Sequence, residues 1–238
     1  MRVLGIETSG ARGGIALLDG DQVLGTRLFE KGMVHGREIA PSIEAILKDA
    51  GLAVGAIDLV ACDIGPGSYT GLRVGLAAAK GLVLALGKPL VGVASLDAMA
   101  DAARDRARVL CPAIDAKWEQ IYGALYEDGR RTTDYLAEKP AAFAARVPRD
   151  ALVLGDALDA YGELFRNLKQ APRDLWEPKP ETIALLGGRL HAQGARHDAA
   201  SLVPLYLRPT EAELKFGRGA GETGRAGEGP AAGKKNSE

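Results

Sequence analysis

Residues 63–89 read Asp63-Ile64-Gly65-Pro66-Gly67-Ser68-Tyr69-Thr70-Gly71-Leu72-Arg73, then Val74-Gly75-Leu76-Ala77-Ala78-Ala79-Lys80-Gly81-Leu82-Val83-Leu84-Ala85-Leu86-Gly87-Lys88-Pro89. The apolar run Ile57–Cys62 just before has the length of a strand. Gly65-Pro66-Gly67 continues neither strand nor helix, because Pro66 lacks an N–H and fixes φ. Ser68 or Thr70 is suited to cap a helix by accepting a backbone N–H bond. The spacing predicts a helix to about Leu86, with Gly87 as its stop and Pro89 just beyond.

The interior of that helix is glycine-bearing. Gly71, Gly75 and Ala79 recur every fourth residue and share one face. Gly75 and Gly81 each cost roughly 1 kcal/mol relative to alanine in a helix interior. Bare backbone of this kind lets another segment approach closely. That segment is either part of the same domain or a helix of another chain, and the stripe is compatible with both.

The 238-residue chain is 47% hydrophobic and 26% charged, the profile of a globular protein with one large domain or two small ones. Lysine plus arginine number 30 against 31 acids, so the basic excess of a chain that grips nucleic acid through its own phosphate contacts is missing. Cys62 and Cys111 sit in apolar runs and read as buried thiols of a reducing compartment. Glu7 interrupts any apolar leader, and Lys80 breaks the apolar run Val74–Leu86, which at that length is too short to span a bilayer. A cytoplasmic location and no membrane contact are the expectation.

Outward from the glycine stretch, Arg2–Ile6, Ile15–Leu18 and Gln22–Phe29 read as strands, the last two joined by the hairpin signal Asp19-Gly20. Thr8, Ser9 and Gly10 lie in a polar turn whose N–H groups are either a phosphate cradle or an ordinary solvated turn. A helix is predicted over 36–50, with Ile39, Ile43, Ile46 and Leu47 at helical spacing and His35 just before it. A strand at Leu90–Val93 and a helix at Leu96–Arg106 follow. The second half echoes the first: Ile6-Glu7-Thr8, Ile15–Leu18 and Asp19-Gly20 correspond to Ile114-Asp115-Ala116, Ile121–Leu125 and Asp128-Gly129. This is a duplicated α/β unit. The second copy continues with a helix at Ala141–Arg146, a strand at Leu152–Leu154 and helices at Leu158–Leu168 and Thr182–Gln193. The expected layout is a first lobe over residues 1–105, a second, trimmed lobe over 106–216 and a disordered tail over 217–238 that holds no aromatic or large aliphatic residue.

The duplicated layout resembles the actin-like ATPase fold (ASKHA, ribonuclease H-like). Closer resemblance lies in Leu4-Gly5-Ile6-Glu7-Thr8-Ser9, Gly65–Gly75, Pro89–Leu96 and Ile114-Asp115-Ala116, which are similar to the bacterial TsaB (formerly YeaZ) family. The likeness is strong over about residues 1–126 and weak again at Tyr206-Leu207-Arg208. It implies a non-catalytic dimerisation and scaffold subunit that works with TsaD and the ATPase TsaE. Their task is threonylcarbamoyl transfer to N6 of the adenosine following the anticodon in tRNA.

The catalytic relative TsaD carries a His-x-x-x-His metal motif, and the resemblance places Ser95 and Met99 at those two positions. A hydroxyl and a thioether replace two imidazoles, so no metal and no catalytic residue are expected here. The resemblance also implies a heterodimer with TsaD through the first-lobe helices, with His35, Ile39, Gly71, Leu72, Gly75, Leu76 and Ala79 as the partner interface. It leaves Thr8, Ser9 and Gly10 near a nucleotide, with no cofactor bound by this subunit alone, ATP or ADP left to the complex, and tRNA contacted indirectly. The alternatives are an actin-like ATPase or kinase, for which Gly187-Gly188 is the one candidate adenosine loop, and a module that pairs with a second copy of itself. A peptidase is disfavoured, since three scattered histidines offer no Ser/His/Asp or metal arrangement.

Overall fold

The computed structural model describes residues 1–30 and 35–208. In chain order the strands and helices are β1 (Arg2–Glu7), β2 (Gly14–Asp19), β3 (Gln22–Leu28), α1 (His35–Asp49), β4 (Leu59–Gly65), α2 (Tyr69–Leu86), β5 (Leu90–Ala94) and α3 (Ser95–Ala102). The second half gives β6 (Val109–Asp115), β7 (Ile121–Gly123), β8 (Tyr126–Glu127), β9 (Arg130–Arg131), β10 (Leu136–Glu138), α4 (Pro140–Arg146), β11 (Leu152–Leu154), α5 (Ala157–Phe165), β12 (Lys169–Gln170) and α6 (Pro180–Ala192).

Two sheets repeat one plan. The first has the order β3-β2-β1-β4-β5 and the second β10-β7-β6-β11-β12, with β8 and β9 added at its side. In both, an antiparallel ribbon (β1 with β2, β6 with β7) leads into parallel neighbours (β1 with β4, β6 with β11). The duplication read from the two strand–turn–strand openings is therefore a property of the whole topology.

Alternation along β1 sorts the first core. Leu4 and Ile6 pack with Ile39, Ile43, Ile46 and Leu47 of α1 and with Leu76, Ala79 and Val83 of α2. Val3 faces the opposite way, toward Ile183 and Ala184 of α6 and Ala98 of α3. A period of two on the strand and about 3.6 on the helices fixes which layer each side chain joins. Leu96 and Met99 of α3 also enter the apolar cluster of the second sheet with Leu110 and Leu154, so this helix lies between the sheets. On the outer side of the second sheet, Phe143 of α4 and Phe165 of α5 meet edge to face, 6.5 Å between ring centres.

Three sequence expectations are corrected. The helix Thr182–Gln193, assigned to the second lobe, is α6 and covers the first sheet: a Cβ on Gly5 would collide with Pro180 O, and one on Gly187 with Ala61 Cβ. Gly187-Gly188 thus lies inside α6, with Gly187 packed closely on the sheet, and is not an adenosine loop. Residues beyond α6 also return to the first sheet, where His197 N donates to Leu90 O (2.9 Å) and Leu205 N to Ile64 O (2.7 Å). The helix expected over Leu96–Arg106 ends at Ala102, because the charged run 104–108 has no apolar stripe to bury. Finally, α2 is longer than the run Val74–Leu86 and has the length and composition of a membrane span, yet its inner face is buried on the first sheet. Ser68 caps it, accepting from Gly71 N at 3.2 Å, and Gly87 ends it at φ 63°. Residues 1–207 form one compact unit; the expected tail over 217–238 lies outside the described residues.

Candidate functional site

β1, β4 and β5 run parallel, so their carboxyl ends lie side by side, the place where open α/β sheets bind ligands. Glu7 ends β1, Asp63 lies near the end of β4, and Ser95 follows β5 as the first residue of α3. Glu7 is 2% exposed, and Asp63 and Ser95 are 0% exposed. Ser9 Oγ joins them, 2.8 Å from Glu7 Oε1 and 2.7 Å from Asp63 Oδ2. Ser95 Oγ donates to Asp63 Oδ1 at 2.7 Å and lies 3.1 Å from Ser9 Oγ. Gly65 N donates to Asp63 Oδ1 at 2.7 Å.

Burial raises the Glu7 carboxyl above the usual carboxylate range, and the adjacent Asp63 charge adds to the rise. Burial raises Asp63 as well, opposed by hydrogen bonds from Ser95, Gly65, Ser9 and Glu7. Two carboxyls this close in a dry site do not both ionise readily. Ser9 has one hydroxyl hydrogen for two carboxyls, so one further proton held by the pair balances the network. Beside it, the Cys62 thiol is pushed up by burial and by the two acids, which makes it an inert core thiol.

The turn after β1 does not offer an open anion cradle. Ser9 N and Gly10 N donate to Glu7 Oε1 at 2.6 and 2.8 Å, so the chain's own carboxyl fills the place a phosphate would take. Thr8 turns the other way, toward α2. A Cβ on Gly71 would collide with Thr8 O, and one on Gly75 with Thr8 Oγ1. The glycine stripe therefore serves packing inside this chain. Thr8 Oγ1 is buried there without a hydrogen-bond partner among the described residues.

This corrects the expected partner interface. Gly71, Leu72, Gly75, Leu76 and Ala79 are buried on the inner face of α2, and Ile39 is 3% exposed on the inner face of α1. The outer face of α2 carries a second small-residue row, Ala77, Gly81 and Ala85, with Leu84 at 75% exposure. A Cβ on Gly81 would meet nothing within 4 Å. His35 is the first residue of α1, and its side chain lies outside the described residues.

Ser95 and Met99 stand one turn apart on α3. Ser95 is engaged by Asp63 and Ser9, while Met99 is buried among Leu96, Leu110 and Leu154. Among the described residues, no group of three or more His, Cys, Asp or Glu is placed to hold a metal ion. His197 instead uses Nδ1 to accept from Gly92 N at 3.1 Å, tying the returning chain to β5.

Sequence reading named Glu7 but not its union with Asp63. The signal was available: each is an acid that closes an apolar strand just before a glycine-bearing turn. The second lobe repeats the device, with Asp115 ending β6 and Asp156 two residues past β11. Asp115 N donates to Asp156 Oδ1 at 2.7 Å, and this pair is open to Lys117, whose Nζ lies 2.6 Å from Asp115 Oδ2.

Comparison with known proteins agrees with this architecture. The family model described as TsaD: tRNA N6-adenosine threonylcarbamoyltransferase matches residues 32–216. The tRNA threonylcarbamoyladenosine biosynthesis protein TsaB of Bacillus subtilis is 30% identical over 238 residues, covering 91% of this chain and 98% of that one. This chain belongs to the TsaB family. The solved structure of YeaZ from Pseudomonas aeruginosa is similar to this TsaB family member, with a TM-score of 0.75 at 27% identity, over 87% of this chain and 99% of that one. The family's fold is the duplicated actin-like one. Component A of the (R)-2-hydroxyglutaryl-CoA dehydratase of Acidaminococcus fermentans matches it in fold alone, at a TM-score of 0.50 and 11% identity over 81% of this chain and 99% of that one.

Proposed function

We propose that this chain is the accessory, non-catalytic subunit of a tRNA N6-threonylcarbamoyladenosine transferase complex. It works with a TsaD-type subunit and a TsaE-type ATPase in threonylcarbamoyl transfer to the adenosine following the anticodon. The observation that carries the reading is the closure of the first-lobe site. Glu7, Ser9, Asp63 and Ser95 bond to one another in a buried ring. A transferase needs at least one such group turned toward its substrate. The names of the TsaB relatives support the pathway, tRNA threonylcarbamoyladenosine biosynthesis.

Pairing with the TsaD-type subunit is assigned to the outer faces of α1 and α2, where Ala77, Gly81 and Ala85 permit close helix approach and Leu84 offers an apolar knob. A net charge of −1 fits a subunit that meets tRNA through the complex, in the cytoplasm, rather than by its own phosphate contacts. Since Glu7 occupies the Ser9 and Gly10 N–H groups, a nucleotide at this end of the sheet would depend on groups from a partner.

The test is reconstitution with the TsaD-type and TsaE-type proteins of the same organism, tRNA, ATP and the threonylcarbamoyl donor. The three proteins together are expected to modify tRNA, and omission of this chain to abolish product. Product formed by this chain alone would sink the non-catalytic reading, and full activity without it would sink the reading altogether. Gly81→Leu is expected to lose the complex while keeping its own fold.

A further inference from the structure

Directly after β6 the backbone does something L-residues avoid. Lys117, Trp118 and Glu119 take φ values of 59°, 51° and 55°, three successive non-glycine residues in the left-handed region. Left-handed positions are ordinarily single, and most often glycine, because Cβ crowds the following carbonyl. The chain holds this turn by several bonds at once. Ala116 N donates to Gln120 O at 3.0 Å and Gln120 N to Lys117 O at 3.2 Å. Asp115 accepts from Lys117 N at 2.9 Å and from its Nζ at 2.6 Å, and is itself anchored to Asp156. Strain fixed in this way gives the core nothing, for the side chain at its apex is an indole 74% exposed. Leu84, of similar exposure, belongs to the α2 face already assigned; Trp118 stands on the connection between β6 and β7 of the second sheet.

The charge at the base of the turn is mostly acidic. Asp156 lies in the field of Asp115 and Glu177, and Tyr161 in that of Asp115 and Glu119. Asp115 and Asp156 both act on the Lys117 ammonium, which Asp115 already binds, and Glu119 and Glu177 add two further carboxyls beside Tyr161 and Asp156. Such a setting repels phosphates and favours a cationic surface. A rigid, exposed tryptophan is the residue type that most often anchors protein contacts, at low entropic cost when it is preformed.

We infer that the Lys117–Trp118–Glu119 turn is a preformed docking knob: Trp118 seats in an apolar slot of a partner protein whose rim carries lysine or arginine. This contact is separate from the α1/α2 pairing face and rests on the reading of the chain as a subunit of a multiprotein complex. The left-handed turn holds the indole out, and the acids beneath it select the rim.

The test measures binding of the full-length chain to the TsaD-type and TsaE-type proteins of the same organism, each alone and both together, for wild type, Trp118→Ala and Trp118→Phe. Trp118→Ala is expected to weaken one of these associations at least about thirtyfold with its melting temperature unchanged. Trp118→Phe should retain most of the affinity, and wild-type binding should weaken with salt. Trp118→Ala binding both proteins as wild type does would overturn the inference. A loss confined to tRNA association would overturn it too, in favour of base stacking. Wild type that binds neither protein would instead overturn the subunit reading, and this inference with it; that control keeps the two failures distinct.

Discussion

Ser95 Oγ donates to Asp63 Oδ1 at 2.7 Å, from the first turn of α3 to the end of β4, with both side chains wholly buried. The bond ties the helix between the sheets to the parallel strands and supplies one of two donors to that oxygen, Gly65 N being the other. Ser95→Ala removes a donor from a buried carboxylate that water cannot reach. The expected cost is about 1–3 kcal/mol of folding stability. Urea unfolding at pH 7 measures it, and a midpoint within error of wild type would mean that Asp63 does not depend on this bond.

Glu7 makes stability depend on pH in the direction opposite to that of an ordinary surface carboxylate. Its folded pKa is raised, chiefly by burial and then by the Asp63 charge. The unfolded chain releases the Glu7 proton near 4.5, whereas the folded chain holds it to about 8. Between those two values the folded state binds more protons than the unfolded one, so stability falls as pH rises through the window. Glu7→Gln keeps the acceptor for Ser9 N and Gly10 N and removes the titration. Melting curves at pH 5.5 and pH 8 should therefore show the variant gaining on wild type at the higher pH. A variant that loses ground at pH 8 would mean that the pair is held fully ionised.

Asp97 is a junction of a different kind. Tyr126 OH and Tyr135 OH donate to its two carboxylate oxygens at 2.6 and 2.7 Å, tying α3 to β8 and the segment before β10. Arg131 stacks over the Tyr135 ring, 3.8 Å from its centre. Burial raises both phenols well above their ordinary range, and the Asp97 charge adds to it, so the tyrosines remain donors at any pH the fold tolerates. Tyr126→Phe is expected to cost about 1–2 kcal/mol through the lost charge-assisted bond. Asp97→Ala should cost more than either single Tyr→Phe change, since it leaves two hydroxyls unpaired. Equal effects in chemical denaturation would contradict this.

Much of the fold was legible because the first half is locally consistent. The Gly65-Pro66-Gly67 turn, the Ser68 cap and the Gly87 stop each act within a few residues, and each is found where the residue types demand. The site was half legible. An acid closing β1 is a local signal, but its union with Asp63, Ser9 and Ser95 depends on parallel strand register, which no spacing encodes. The return of α6 to the first sheet was illegible for the same reason: a helical period says that a face is buried, not against what. Lys117, Trp118 and Glu119 carry no sequence mark of left-handed backbone at all, because the strain is imposed by the clamp of Asp115 and Asp156.

Helix α2 carries two rows of small residues that sequence treats alike and structure separates. A Cβ on Gly75 would collide with Thr8 Oγ1, while one on Gly81 would meet open space. The same substitution should therefore act with opposite sign at the two positions. Gly75→Ala forces Thr8 or the helix to move, and overpacking of this kind costs about 1–3 kcal/mol. Gly81→Ala is free of collisions and removes backbone entropy from the unfolded chain, a gain of about 0.5–1 kcal/mol. Denaturant midpoints of the two single variants against wild type decide the matter. If Gly81→Ala destabilised the isolated chain as much as Gly75→Ala, the outer row would have a packing role within this chain. The α2 surface assigned to pairing would then have to be given up.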